Sequence, residues 1–240
     1  MIEIKKGAIF ISDTHLSKNR NSFIEFLYAI KEGQINPAQL FLMGDMFDFL
    51  SFEIEYSKEL YQDTINMINS LSSSVDIYYF EGNHDFNLKK IFPLVKVFSL
   101  NIQPVLASFE DKKLLLSHGD VDSGVTYRLF HMIVRNSYIL NIINVIDKLF
   151  NNKISKSFFF KQQEKSICKK IENFHKIIKQ KIHLYDIDLS EVNFILEGHY
   201  HQGLEIEIDN IKYVNFKSFS CDRTYYIALG DRNILQSKVF

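Results

Sequence analysis

The chain has 240 residues, 46% of them hydrophobic and 24% charged, with 28 Lys/Arg against 29 Asp/Glu. That length suits one domain, or one domain with a sizeable insertion, and buries a full core. The composition is globular, and no run of 18 apolar residues occurs, which excludes a membrane-spanning helix. The near-neutral total hides a split. Residues 124–182 hold 12 Lys/Arg and three Asp/Glu, a net +9, and the remainder carries −10. One segment is thus suited to an anionic partner and another part to holding cations. Cys168 and Cys221 form no framework and lack metal-ligand spacing, so a reducing compartment is the simplest reading. Met1–Lys6 are charged and run into a strand, unlike a secretory signal.

In chain order, the pattern predicts a buried strand over Gly7–Ser12 and a helix over Asn21–Glu32. A second strand is predicted over Gln39–Met43, a helix over about Glu53–Leu71, and a third strand over Val75–Phe80. Alternating strands and helices indicate α/β organisation. From residue 95 the pattern changes to short strands over Val95–Leu100, Val105–Phe109 and Lys113–Ser117, with a turn at Glu110-Asp111. Gly124 to about Ile182 reads as helical. Strands resume at Phe194–Glu197, Leu204–Ile208, Lys212–Val214, Arg223–Ala228 and Asn233–Val239, with turns at Asp209-Asn210 and Gly230-Asp231.

Five polar clusters each follow a predicted strand, where α/β sheets bind ligands. They are Asp13-Thr14-His15, Gly44-Asp45-Met46-Phe47-Asp48, Gly82-Asn83-His84-Asp85, His118-Gly119-Asp120 and Gly198-His199-Tyr200-His201. Five of the eight histidines lie in them. Oxygen and nitrogen donors without thiolate suit Mn²⁺, Fe or Zn²⁺ at a catalytic rather than a structural site. Asp-x-His and His-x-His would put alternate residues of an extended segment on one face, reaching one centre. Asp45 is the candidate for a carboxylate bridging two cations, a pair that can clamp a phosphoryl group and generate the nucleophile. The alternative is that Asn83 and Asp85 shape a turn while His118 and His199 are satisfied, partly buried histidines.

In this order the motifs resemble the calcineurin-like metallophosphoesterase superfamily, over nearly the whole stretch from Asp13 to His201. The resemblance implies an α/β fold, a four-layer αββα sandwich whose core spans 1–123 and 183–240, with residues 124–182 as a helical insertion acting as lid or cap. It implies two divalent metal ions, Mn²⁺ foremost. One would be held by Asp13, His15 and His201 and the other by Asn83, His118 and His199, with Asp45 between them. It also implies that His84 contacts the phosphate and can donate a proton to the leaving group. Asp48, Asp85 and Asp120 are expected to orient ligand histidines or backbone.

Gly44-Asp45-Met46-Phe47-Asp48-Phe49 with Gly82-Asn83-His84-Asp85-Phe86, and a helical segment placed between His118 and His199, look like the UDP-2,3-diacylglucosamine diphosphatases of lipid A synthesis. That resemblance implies UMP and 2,3-diacylglucosamine 1-phosphate as products. It departs at two residues: the best-known branch has Arg at the position of His84 and Glu at that of Asp48. The alternative is a soluble phosphodiesterase or phosphatase acting on nucleotides or phosphoproteins. The basic, apolar segment favours the lipid reading, with an anionic membrane surface as partner at the cytoplasmic face of the inner membrane. The candidates for contacting the substrate are Asp122, Arg128, Arg135, Lys161 and Lys165, Arg being suited to bidentate phosphate binding. The aromatics of the basic segment form no base-stacking module, so no nucleic acid is expected. No obligate protein partner is evident.

Overall fold

The structure is a computed structural model and describes residues 1–120, 133–185, 187–230 and 234–240. In chain order it begins β1 (Ile2–Glu3), β2 (Ile9–Ile11), α1 (Ser22–Lys31), β3 (Leu40–Leu42), β4 (Leu50–Ser51), α2 (Glu55–Leu60) and α3 (Gln62–Leu71). There follow β5 (Ile77–Phe80), β6 (Asp85–Phe86), β7 (Lys96–Phe98), β8 (Val105–Phe109) and β9 (Lys112–Ser117). Among the described residues there follow α4 (Ser137–Leu149), α5 (Lys153–Gln163) and α6 (Phe174–Ile182). The chain closes with β10 (Phe194–Glu197), β11 (Leu204–Ile208), β12 (Ile211–Asn215), α7 (Phe219–Asp222), β13 (Thr224–Ala228) and β14 (Leu235–Val239).

The strands form two six-stranded sheets, ordered β1-β8-β9-β10-β12-β11 and β14-β13-β2-β3-β5-β7, with β4 and β6 as a separate pair. Period-two alternation sorts their side chains into layers. Phe10, Phe41, Tyr78 and Phe80 of the second sheet meet Leu114, Leu116, Leu196 and Val214 of the first in one core. The alternate residues Ile9, Ile11, Leu40, Leu42, Ile77 and Tyr79 face outward and pack with Phe23, Phe26, Leu27, Ile65 and Ile68 of α1 and α3. On the opposite side Leu115, Ile195 and Tyr213 pack with Phe174, Ile178 and Ile182 of α6. The result is a sandwich with helices on both outer faces.

Two local differences from the sequence pattern have visible causes. The helix expected over Glu53–Leu71 breaks at Tyr61, which leaves helical geometry (φ −110, ψ 16). There its hydroxyl donates to the Leu16 carbonyl at 2.8 Å, tying the helix layer to the first polar loop. The helical stretch is interrupted between α5 and α6, where 164–173 runs without helix and bonds instead to the loop after β10.

Cross-strand aromatic pairs stabilise the central sheet. Phe41 stacks on Phe10 at 4.4 Å and 14° and on Tyr78 at 4.6 Å and 6°, and Tyr78 continues to Phe98 at 6.4 Å. Phe41 is fully buried. Replacing it with Ala leaves a void between the Phe10 and Tyr78 rings that cannot collapse far. We expect Phe41→Ala to lower the unfolding free energy by about 3–5 kcal/mol, measured by denaturant titration. A loss below about 1 kcal/mol would show that the row is not a rigid part of the core.

Candidate metal centre

Five loops leave the carboxyl ends of β2, β3, β5, β9 and β10. The first three strands are parallel neighbours in one sheet, and the last two are parallel neighbours in the other. Both sheets therefore deliver their polar loops to the same end of the sandwich. The loops are not extended, as an Asp-x-His or His-x-His spacing would suggest. Asp13, His15, Asp45, His199 and His201 all have positive φ, between 41° and 65°. Each step is sterically costly for a residue with a Cβ. Hydrogen bonds between loops hold them: Asp13 N donates to Gly44 O, His15 N to Asp45 O, and Gly198 N to His118 O. Close approach also demands glycine. A Cβ at Gly44 would collide with the His118 ring, and one at Gly82 with the Asp45 carboxylate.

The loops bring Asp13, His15 and His201 into one group, His15, Asp45 and His84 into a second, and Asp45, His118 and His199 into a third. Within each group the donor atoms lie inside 4.8 Å of one another. His201 Nε2 is 3.1 Å from Asp13 Oδ1 and 3.5 Å from His15 Nε2. Asp45 Oδ2 lies 3.4 Å from His118 Nε2 and 4.0 Å from His15 Nε2. His15 and Asp45 each belong to two groups, and Asp45 is the one carboxylate that does, as a candidate bridge should.

The imidazoles are oriented from behind. His84 Nδ1 donates to Asp48 O at 2.7 Å, His118 Nδ1 to Met43 O at 2.9 Å, and His201 Nδ1 to Ile167 O at 2.6 Å. A carbonyl only accepts, so each Nδ1 carries the hydrogen and each Nε2 is turned toward the centre. This is the support that histidine ligands of metals receive. His15 Nδ1 lies 3.6 Å from Asp48 Oδ1. Asp85 accepts from Asp45 N, Met46 N, Gly82 N and the Tyr79 hydroxyl, locking two loops together.

These residues fit divalent cations. His118 Nε2, in the third group, and Asn83 Oδ1, on the residue next to His84, are buried atoms without a hydrogen-bond partner. Buried polar atoms are seldom left so, and both are good donors to a cation. The charge balance agrees. Burial raises the Asp13 and Asp45 carboxyls, but His201 beside the first and His118 and His84 beside the second outweigh it and hold both below the usual carboxylate range. Burial lowers His118 and His201, yet the charge of Asp45 keeps the first well above 6.5 and that of Asp13 keeps the second above it. His199 goes the other way, pushed to about 4 by burial and by the charge of His118.

Of the candidate substrate residues, three lie among the described ones. Arg135 turns inward: its Nη2 donates to Gly82 O at 2.8 Å and to Asp120 Oδ2 at 3.2 Å, so it braces two of the five loops. Lys161 and Lys165 stand exposed at the end of α5. Asp122 and Arg128 lie outside the described residues. Several supporting residues carry no motif. Arg20 donates to both Asp48 oxygens at 2.6 Å and to His15 O at 3.1 Å. Buried Lys181 pairs with Glu197 at 2.7 Å and donates to Gly119 O at 2.6 Å. Their spacing from the motifs runs from a few residues to more than 60, so only tertiary structure reveals them. Cys168 and Cys221, read from sequence as forming no framework in a reducing compartment, are joined by a disulfide. Their separation of 53 positions hid a tertiary proximity, with Cα atoms 5.9 Å apart.

Oxygen and nitrogen donors gathered at one end of the sandwich, two of them buried with unmatched lone pairs, suit a metal-dependent hydrolase of phosphoesters. The comparison with known families agrees: residues 8–203 match the model for calcineurin-like phosphoesterases, and the chain belongs to that family. Among curated proteins it is similar to the UDP-2,3-diacylglucosamine hydrolase of Haemophilus influenzae (strain PittGG), 28% identical over 204 residues, 82% of this chain and 84% of that protein. It is also similar to the UDP-2,3-diacylglucosamine hydrolase of Vibrio atlanticus (strain LGP32), 26% identical over 92% of this chain and 88% of that one. A solved archaeal phosphodiesterase aligns over 97% of this chain and 99% of its own at 13% identity and a TM-score of 0.47.

Because His118 and His201 hold protons more tightly than a free imidazole, cation binding at neutral pH must displace protons. Mn²⁺ affinity is therefore expected to rise with pH from about 6.5 upward. Calorimetry in buffers of different ionisation enthalpy should show proton release. Affinity flat across that range would mean that the histidines are already neutral.

Proposed function

We propose that the chain hydrolyses the diphosphate of UDP-2,3-diacylglucosamine, giving UMP and 2,3-diacylglucosamine 1-phosphate. Membership of the phosphoesterase family and the converging donors support the reaction class. Asp13, His15 and His201 would hold one divalent cation and Asn83, His118 and His199 the other, with Asp45 shared. Mn²⁺ is the expected ion for this oxygen and nitrogen set. Cations held there supply Lewis acidity to a phosphoryl group and a nucleophile at neutral pH. His84 directs Nε2 toward the same place, its ring fixed by Asp48 O and its own N–H bonded to Asp45 Oδ1 at 2.9 Å. It is thus placed to contact the phosphate and to give a proton to the departing oxygen.

One observation carries the lipid part of the reading. The hairpin of α4 and α5 sits beside the polar loops and shows solvent an apolar stripe. Tyr138, Ile142, Val145 and Leu149 follow helical spacing and are 83%, 61%, 59% and 77% exposed. Ile154 and Phe160 extend it along α5, and Lys148, Lys153, Lys156, Lys161 and Lys165 stand around it. Soluble proteins seldom expose such a patch without a partner. An apolar stripe rimmed by lysines suits acyl chains and an anionic membrane surface, each lysine near that surface contributing about 1 kcal/mol. No helix among the described residues is long and apolar enough to cross a membrane. The reading therefore places the protein on the cytoplasmic face of the inner membrane, lying on it rather than through it.

The test is release of UMP from UDP-2,3-diacylglucosamine by purified protein with Mn²⁺, beside Asp45→Asn, His84→Gln and simple phosphodiesters. Asp45→Asn should abolish turnover and lower bound metal. His84→Gln should keep the metal and lose about 10²–10⁴ in kcat. Turnover of bis-p-nitrophenyl phosphate or a cyclic nucleotide without UMP release would keep the metal chemistry and discard the lipid substrate.

A further inference from the structure

The stretch between α5 and α6 runs as an irregular clip along the loop after β10. His201 Nδ1 donates to Ile167 O at 2.6 Å. Next to it, Gln202 Nε2 donates to Lys169 O at 3.0 Å, and Ile171 N donates to Gln202 Oε1 at 2.9 Å. Gln202 is buried and held on its other side, its N–H donating to Asn215 Oδ1 at 2.8 Å. The clip is therefore what fixes the ring of His201 from behind. Hydrogen bonds hold it at these points, and one covalent bond does: Cys168, adjacent to Ile167, is joined to Cys221.

Cys221 lies in α7, and the start of that helix supports the other half of the same group. Phe219 N donates to Ser12 O at 2.9 Å, and Ser218 Oγ donates to Asp13 O at 2.7 Å. Asp13 and His201 face one another at 3.1 Å. The disulfide thus joins the backbone that orients His201 to the backbone that orients Asp13. We propose that Cys168 and Cys221 are a redox-responsive positioning pair for the group Asp13–His15–His201. Oxidised, the pair latches the clip and fixes the geometry of that group; reduced, it releases the clip and weakens the grip on a divalent cation. The inference rests on the reading of these three residues as metal ligands.

Accessibility and chemistry agree with such a role. Cys168 is exposed and Cys221 half-buried, so the bond is open to exchange. To close it, a Cys168 thiolate attacks a small-molecule disulfide, forming a mixed disulfide and expelling one small thiolate. The Cys221 thiolate then displaces the second. Two protein thiols become one disulfide, and the oxidant leaves as two thiols carrying the two protons and two electrons. A dithiol or phosphine reductant runs the change in reverse. In a reducing compartment the dithiol is the resting form, and oxidation is the event that tightens the site.

The test compares oxidised and reduced wild-type protein, the reductant being removed before metal is added. Thiol titration counts the cysteines, and calorimetry with Mn²⁺ resolves the metal equivalents. Reduction is expected to weaken one of two equivalents about 10–100-fold, as loss of a supporting contact to a ligand does, and to leave the other unchanged. Co²⁺ absorption should shift for that equivalent only. Cys168→Ser with Cys221→Ser should match the reduced wild type and ignore the redox state. Two free thiols after treatment with a small-molecule disulfide would overturn the proposal, as would equal metal affinity in both states. A general fall in thermal stability with both equivalents weakened alike would also overturn it, reducing the bond to a structural staple. Absence of bound metal in either state would overturn the metal-centre reading along with it. Metal bound identically in both states removes this inference alone.

Discussion

Asp13 and Asp45 carry negative charge with essentially no exposure, at 0% and 2%. An isolated carboxylate so placed costs more than a small domain can spare. Three kinds of group offset that cost. Imidazoles supply positive charge: His201 to Asp13 and His118 to Asp45. Backbone N–H groups donate, His84 N to Asp45 and His199 N to Asp13. In the proposed reading, divalent cations would complete the compensation. The left-handed turns at five of these positions follow from the same demand, since only a reversed backbone brings side chain and N–H groups to one point. Each turn costs about 1–3 kcal/mol. The rigid aromatic row between the sheets fixes the strands from which the turns depart.

A second ring of charges surrounds the first. Glu197 precedes the loop bearing His199 and His201, and it is buried with Lys181, Ser117, Tyr185 and Tyr213 as partners. Burial would raise its carboxyl, but the Lys181 ammonium and the hydroxyls keep it below the usual range. Lys181 comes from α6, so the basic segment contributes directly to the geometry of the loops after β9 and β10. Arg20 does the same from the other side, reaching Asp48 and His15 while its guanidinium also donates to Gln163 O at the end of α5. Removing either cation would leave an acid buried without its partner, the costly way to break such a pair. The helical stretch between β9 and β10 is thereby wired into the centre rather than merely appended to the core.

The motif series made the loops, their order and their strand-end placement legible in the sequence. Short apolar runs fixed β2, β3, β5, β9 and β10 to within two residues, because burial on both faces leaves little ambiguity. What was not legible is non-local. The break at Tyr61 answers to a carbonyl 45 positions away. The pairing of Cys168 with Cys221 depends on how the clip crosses α7. Arg135 reads in sequence as a phosphate-binding arginine, and only the fold shows it bracing Gly82 and Asp120. The positive φ values were hidden for a different reason: Asp-x-His obeys strand periodicity on paper, and the conflict between local preference and adopted backbone marks a functional site.

The same conflict between pattern and environment bears on what the site accepts. In an ordinary surface helix the apolar stripe faces the core. In α4 the inward contacts include polar ones: Asn144 accepts from Glu55 N, and Asp147 accepts from Ile154 N and Ser155 N to start α5. Leu140 is its only fully buried apolar side chain among the described residues. The larger apolar stripe points away, so the helix is held by specific polar anchors while its hydrophobic surface is kept for something else. A nucleotide or a phosphoprotein offers little to such a surface. The proposed substrate, with two acyl chains and a diphosphate, would satisfy both ends at once, its phosphates meeting the polar loops and its chains the stripe beside them.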